Sequence, residues 1–123
     1  MRHSLLLFLA MIAPLSQAAD TGIELLSQCQ VAERFSDTGD LRDPVAAMSC
    51  VALLQGVHET MQFLSVFMDK PNAFKSCFPV ESISNVQAMR IVVKFLRANP
   101  ERLHEPKTVL AILALKQAFP CPK

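Results

Sequence analysis

Cys29, Cys50, Cys77 and Cys121, together with His58 and His104, the two histidines beyond the N-terminal segment, are the side chains of this 123-residue chain whose types most readily do chemistry. A cysteine–histidine nucleophile would need one thiol to stay free beside an imidazole. Structural zinc would need close pairs of ligands, and the cysteine spacings of 21, 27 and 44 contain no C-x₂₋₄-C. His58-Glu59 runs on as Thr60-Met61-Gln62, so the second histidine of an H-E-x-x-H site is missing. There is no G-x-S-x-G, and three scattered glycines cannot build a phosphate cradle. The reading is therefore of a protein that is not an enzyme and uses no cofactor or metal.

The fate of the thiols depends on the compartment, which the N-terminus addresses. Met1-Arg2-His3 is a short positive region, Leu5 to Leu15 is an apolar run broken only by Pro14, and Ser16-Gln17-Ala18 offers small residues around a cleavage point. This pattern is a secretory signal peptide over residues 1–18, too short to act as a spanning helix. Cysteine first occurs at position 29, so a lipid anchor on the mature N-terminus is not expected, and there is no twin-arginine pair. The expected mature domain, residues 19–123, has no stable membrane anchor. Loss of Arg2 from the 12 basic residues leaves 11 against 11 acidic ones. A neutral balance excludes a general electrostatic attraction to nucleic acid. In an oxidising compartment an even set of four cysteines is expected to form two disulfides.

Four helical stretches must position those cysteines. The first is expected from Ile23 to Phe35, anchored by Ile23, Leu26, Val31 and Phe35, and stops in the polar cluster Ser36-Asp37-Thr38-Gly39-Asp40. The second starts at Asp43 as N-cap with Pro44 behind it and runs to Met68. Its seam is Cys50, Leu54, Val57, Met61, Leu64 and Met68, and Gly56 is expected to admit a closely packed neighbour. Asp69 to Val80 reads as a loop. The third helix opens on the capping box Ser84-x-x-Gln87, buries Val86, Met89, Val93 and Leu96, and ends at Asn99-Pro100. After a single coil near Glu101 to His104, Pro106 starts a fourth helix that buries Val109, Leu110, Leu113 and Phe119 and stops at Pro120. Ala111, Ala114 and Ala118 make a small-residue stripe suited to tight packing. No stretch reads as a strand, repeat or linker, so the class is all-α, a single domain of about four helices arranged as two antiparallel hairpins.

That layout selects the disulfide pairing. In an antiparallel hairpin, residues opposite one another are centred on the turn. Cys29 and Cys50 centre between Gly39 and Asp40, and Cys77 and Cys121 centre on Asn99, both at breaks chosen on other grounds. The two crossed pairings have no such coincidence. The expected bonds are Cys29–Cys50 and Cys77–Cys121, each worth about 3–4 kcal/mol by the chain-entropy argument.

Three surfaces could bind a partner. A second apolar line on the second helix, Leu53, Gly56, Phe63 and Phe67, is either a second buried side or a partner face. Arg90, Lys94 and Arg97 form a basic stripe that reads as a solvated helix face. The loop residues Asp69, Lys70, Asn72, Phe74 and Lys75 set an aromatic among polar groups, with Cys77 anchoring one end. A loop held rigidly in this way binds at a lower entropic cost. A connecting loop with Phe74 tucked inwards is the other reading.

The run Cys77-Phe78-Pro79, Ser84-x-x-Gln87, Val92-Val93-Lys94-Phe95-Leu96, Asn99-Pro100-Glu101, Leu103-His104 and Ala118-Phe119-Pro120-Cys121 resembles the Rap/Tai immunity proteins of type VI secretion systems. Upstream, Gly22-x-Glu24-Leu25-Leu26-x-x-Cys29 and Cys50 with Gly56-Val57 fit the same pattern, although Ala52-Leu53-Leu54 lacks an aromatic often found there. The resemblance implies a periplasmic, helical, often dimeric protein that occludes the active-site cleft of a peptidoglycan amidase effector. Two other classes fit the same composition: an acid-stress chaperone of the HdeA type, and an envelope protein without an enzyme partner.

Overall fold

The computed structural model describes residues 20–68 and 74–123. The signal-peptide assignment and loop residues Asp69, Lys70 and Asn72 lie outside them. The described chain forms helix α1 (Gly22–Thr38), α2 (Pro44–Phe67), α3 (Asn85–Ala98), a single 3₁₀ turn (Pro100–Arg102) and α4 (Lys107–Ala118). Among the described residues there is no strand, only an isolated bridge between Thr21 and Pro106.

The helix ends follow local chemistry. At α2, Asp43 Oδ1 accepts the Ala46 amide hydrogen at 2.9 Å and Pro44 occupies the first turn. Ser84 Oγ does the same for the Gln87 amide at the head of α3. The first helix runs three residues past the expected stop at Phe35, because its terminator is Gly39 with a left-handed φ of 73°, whose amide donates to the Phe35 carbonyl. Its N-terminus has no side-chain cap. Instead the Gly22 and Ile23 amides donate to the carbonyls of Glu105 and Leu103, both at 3.0 Å, so the start of α1 is capped by the turn before α4.

The core lies between the helices, where Leu25, Cys29, Leu54, Met61, Val92, Leu96, Leu110 and Leu115 are essentially sealed from solvent. Two disulfides staple the chain, Cys29 to Cys50 across α1 and α2, and Cys77 to Cys121 across the segment before α3 and the segment after α4. No cysteine is free.

Several expected core positions are corrected. On α1 the buried stripe is Gly22, Leu25, Cys29 and Ala32, whereas Ile23 and Phe35 are exposed and Leu26 and Val31 only half-buried. Reading from the largest apolar residues chose the wrong phase; small residues and a cystine mark where α1 meets its neighbours. Val86 and Val109 are exposed, while Leu113 and Phe119 pack partly against the core. Gly56 is also corrected: a β-carbon there would meet nothing within 4 Å. Gly22 is the close-approach glycine, set against Leu110 and the Leu103 backbone. The α2 seam is buried only as far as Met61, and Met68 is exposed. With 24 residues α2 spans about 36 Å, against about 21 and 18 Å for α3 and α4, and Val66, Phe67 and Met68 at its end are exposed.

The basic stripe of α3 serves α1. Arg90 pairs with Asp37 and Arg97 with Glu33, the latter at 3.3 Å. Arg90, Asp37 and Arg97 are solvent-exposed and Glu33 half-buried, so each pair contributes little net stability and chiefly sets register. Lys94 is exposed.

Candidate partner-binding surface

The last turns of α2 and the segment leading to α3 together form the most distinctive surface. Phe63, Val66 and Phe67 are 59, 73 and 69% exposed, and the two phenyl rings lie 4.5 Å apart on the helix surface. Val80 projects fully into solvent beside them, across a groove of about 580 Å³ that also touches Gln62, Cys77 and Phe78. Contiguous exposed aromatics of this kind are characteristic of binding sites. The alternative of a second buried side for α2 therefore fails for Phe63 and Phe67, while Leu53 is half-buried.

Of the loop residues, Phe74 and Lys75 are described. Phe74 is 42% exposed and stands at a second groove, about 390 Å³, floored by Leu53, Gly56, Val57, Met61 and Ile112. The open space over Gly56 is part of this groove. Lys75 is half-buried. Sequence reasoning identified Phe63, Phe67 and Phe74, but missed Val66 and Val80. Val66 lies one residue off the expected line, and Val80 is an isolated apolar residue whose exposure no periodicity could signal.

This surface is held from below by a built scaffold. The Ser65 hydroxyl shares its single proton between the Met61 carbonyl at 2.7 Å and the Ser76 carbonyl at 3.0 Å, and accepts from the Ser76 amide at 3.4 Å. The Cys77 amide donates to the Phe119 carbonyl at 3.0 Å, beside the Cys77–Cys121 bond. Phe78 sits between His58, at 4.6 Å edge-on, and Phe119, at 5.1 Å. Ser82 adopts a left-handed φ of 65° in the turn closed by its amide on the Pro79 carbonyl, and its hydroxyl accepts from Gln62 Nε2 at 3.1 Å. Three rings and one cystine thus fix the base from which Phe74 and Val80 project.

His58 is a structural part of that base. It is buried, its Nε2 has no hydrogen-bond partner, and burial pushes its imidazole below the usual 6.5, against the opposing pull of the Glu59 carboxylate. The folded state therefore holds fewer protons than the unfolded chain as pH falls below about 6.5. Stability conferred by the neutral ring is present above that pH and lost below it. Urea midpoints measured from pH 7 to pH 5 should fall for the natural protein, and His58→Phe should flatten that slope. An equal slope in both proteins would show that His58 is not the group responsible.

Every cysteine is bonded, so no thiol is free to pair with His58 or His104, and no group of three or more His, Cys, Asp or Glu among the described residues could hold a metal ion. No helix among the described residues is long and apolar enough to cross a membrane. What the arrangement can do is present a shaped apolar surface on a cross-linked helical frame.

The described chain is thus a small all-α bundle stapled by two disulfides, with an exposed aromatic ridge on α2. The family described as Rap1a immunity proteins matches residues 21–121, nearly the whole helical bundle. The chain belongs to the Rap1a immunity protein family. Comparison with curated proteins and with solved structures gave no match. Membership places the protein among immunity proteins, which act on a secreted effector by binding it.

Proposed function

We propose that this protein is exported by a signal peptide over residues 1–18 and acts in the periplasm, as residues 19–123, to neutralise a peptidoglycan amidase effector of a type VI secretion system. It does so without catalysis, by occluding the amidase active-site cleft. The observation that carries this reading is the family match across residues 21–121. The two disulfides are in keeping with an oxidising compartment. Phe63, Val66, Phe67 and Phe74 supply apolar area to the contact, and Asp69, Lys70, Asn72 and Lys75 supply the polar groups that set register.

Aromatic anchors in such contacts commonly cost 2 kcal/mol or more when truncated. Phe74→Ala together with Lys70→Ala and Asn72→Ala should weaken inhibition of a cognate amidase at least about thirtyfold. Unchanged inhibition would exclude the loop. The same purified protein should fail to protect unrelated clients from aggregation in acid; general protection would favour the chaperone reading instead. Sedimentation of the free protein tests a homodimer, for which the apolar groove of about 260 Å³ lined by Phe35, Leu41, Met48 and Val86 at the opposite end of α2 is the available face.

A further inference from the structure

The two disulfides differ in a way that gives them different roles. Cys29 and Cys50 are both 0% exposed, enclosed between α1 and α2. Cys77 is exposed and Cys121 half-buried, and neither lies in a helix. Thiol–disulfide exchange requires a thiolate to reach a sulfur, so a sealed cystine reacts only when its surroundings open, whereas an exposed one reacts in the folded protein. We propose that Cys77–Cys121 is a thiol–disulfide exchange site, a clasp that a dithiol reductant opens while Cys29–Cys50 stays closed.

The chemistry balances within that pair. One thiolate of the reductant attacks the Cys77 sulfur, the Cys77–Cys121 bond breaks, and Cys121 leaves as a thiolate that takes up a proton. The second thiol of the reductant then attacks the mixed disulfide and releases Cys77 as a thiol. The reductant ends as its own disulfide, having supplied two electrons and two protons.

Opening the clasp breaks no helix. The segment at Cys77 keeps its hold on α2 through Ser65 with Ser76 and through His58 with Phe78. What it loses is the covalent tie to the chain after α4, leaving the Cys77–Phe119 backbone hydrogen bond and the Phe78–Phe119 ring contact to hold that edge. The base under Phe74 and Val80 thereby loses one of its fixed sides. If the proposed effector contact is correct, reduction lowers affinity for the amidase, making the clasp a redox regulator of that same surface.

The test uses the folded, oxidised protein, dithiothreitol as the reductant and N-ethylmaleimide as the quench, followed by proteolysis and peptide mass analysis. Cys77 and Cys121 should acquire label at least about ten times faster than Cys29 and Cys50, with helical circular dichroism unchanged. Equal rates, or earlier labelling of Cys29 and Cys50, would overturn the exchange site. In a second arm, protein alkylated only at Cys77 and Cys121 should bind the amidase about tenfold more weakly than oxidised protein. Equal binding would overturn the regulatory role. Oxidised protein that inhibits no amidase would count against the proposed function, and the order of labelling would still decide the exchange site by itself.

Discussion

Replacing both Cys29 and Cys50 by alanine is expected to lower the free energy of unfolding by about 3–4 kcal/mol and the thermal midpoint by roughly 15 °C. The bond closes a loop of 21 residues in sequence separation, for which the loss of unfolded-chain entropy accounts for about 3 kcal/mol. The native side adds to this, because both sulfurs fill space that is sealed from water between Leu25, Leu54 and their neighbours. Their removal leaves a defect in a close-packed region. Thermal unfolding followed by circular dichroism without reductant measures the effect. A shift below about 4 °C would mean that the helical packing alone orders the α1–α2 hairpin.

Gly22→Ala is expected to cost about 1–3 kcal/mol, and Leu110→Ala about 2–5 kcal/mol, but the two together should cost clearly less than their sum. A β-carbon on Gly22 would overlap Leu110 Cδ1 and stand 3.1 Å from the Leu103 carbonyl oxygen. Leu110 is fully buried, so its side chain has nowhere to retreat. The Gly22 amide is also committed to the Glu105 carbonyl, which prevents α1 from backing away without losing its cap. Truncating Leu110 removes the nearer of the two obstacles and leaves the Leu103 carbonyl. Denaturant unfolding of the two single variants, the double variant and the natural protein gives the coupling energy, expected near 1 kcal/mol or above. Strict additivity would show that Leu110 is not what excludes a side chain at position 22.

The helices themselves were legible because their ends are written in local chemistry. Asp43-Pro44, Ser84 with Gln87, and Asn99-Pro100 each act on backbone groups within three residues, so no distant contact is needed to read them. The hairpin centres at Gly39-Asp40 and Asn99 are equally local, and the structure joins the cysteines that those centres place opposite one another. The family was legible for a related reason, since the spaced Cys, Pro and Asn-Pro positions are tied to those same turns.

Which face of each helix is inside was settled only by tertiary packing. Ile23, Phe35, Val86 and Val109 look like core by size yet are exposed, because burial is a matter of what lies opposite rather than of hydrophobicity alone. Gly56 and Gly22 show the same division: the structure places both in helices, but only Gly22 faces a neighbour close enough to require a glycine. The exposed ridge of Phe63, Val66 and Phe67 continues the face of α2 that carries exposed Gln55 and Glu59, and only the packing of the other helices decides that this face is the outer one. The four cysteines follow the same rule. Sequence determined that they pair and in which hairpins; the fold decided that one cystine is sealed in the core and the other lies open beside the binding surface, since solvent access depends on every element packed around a bond.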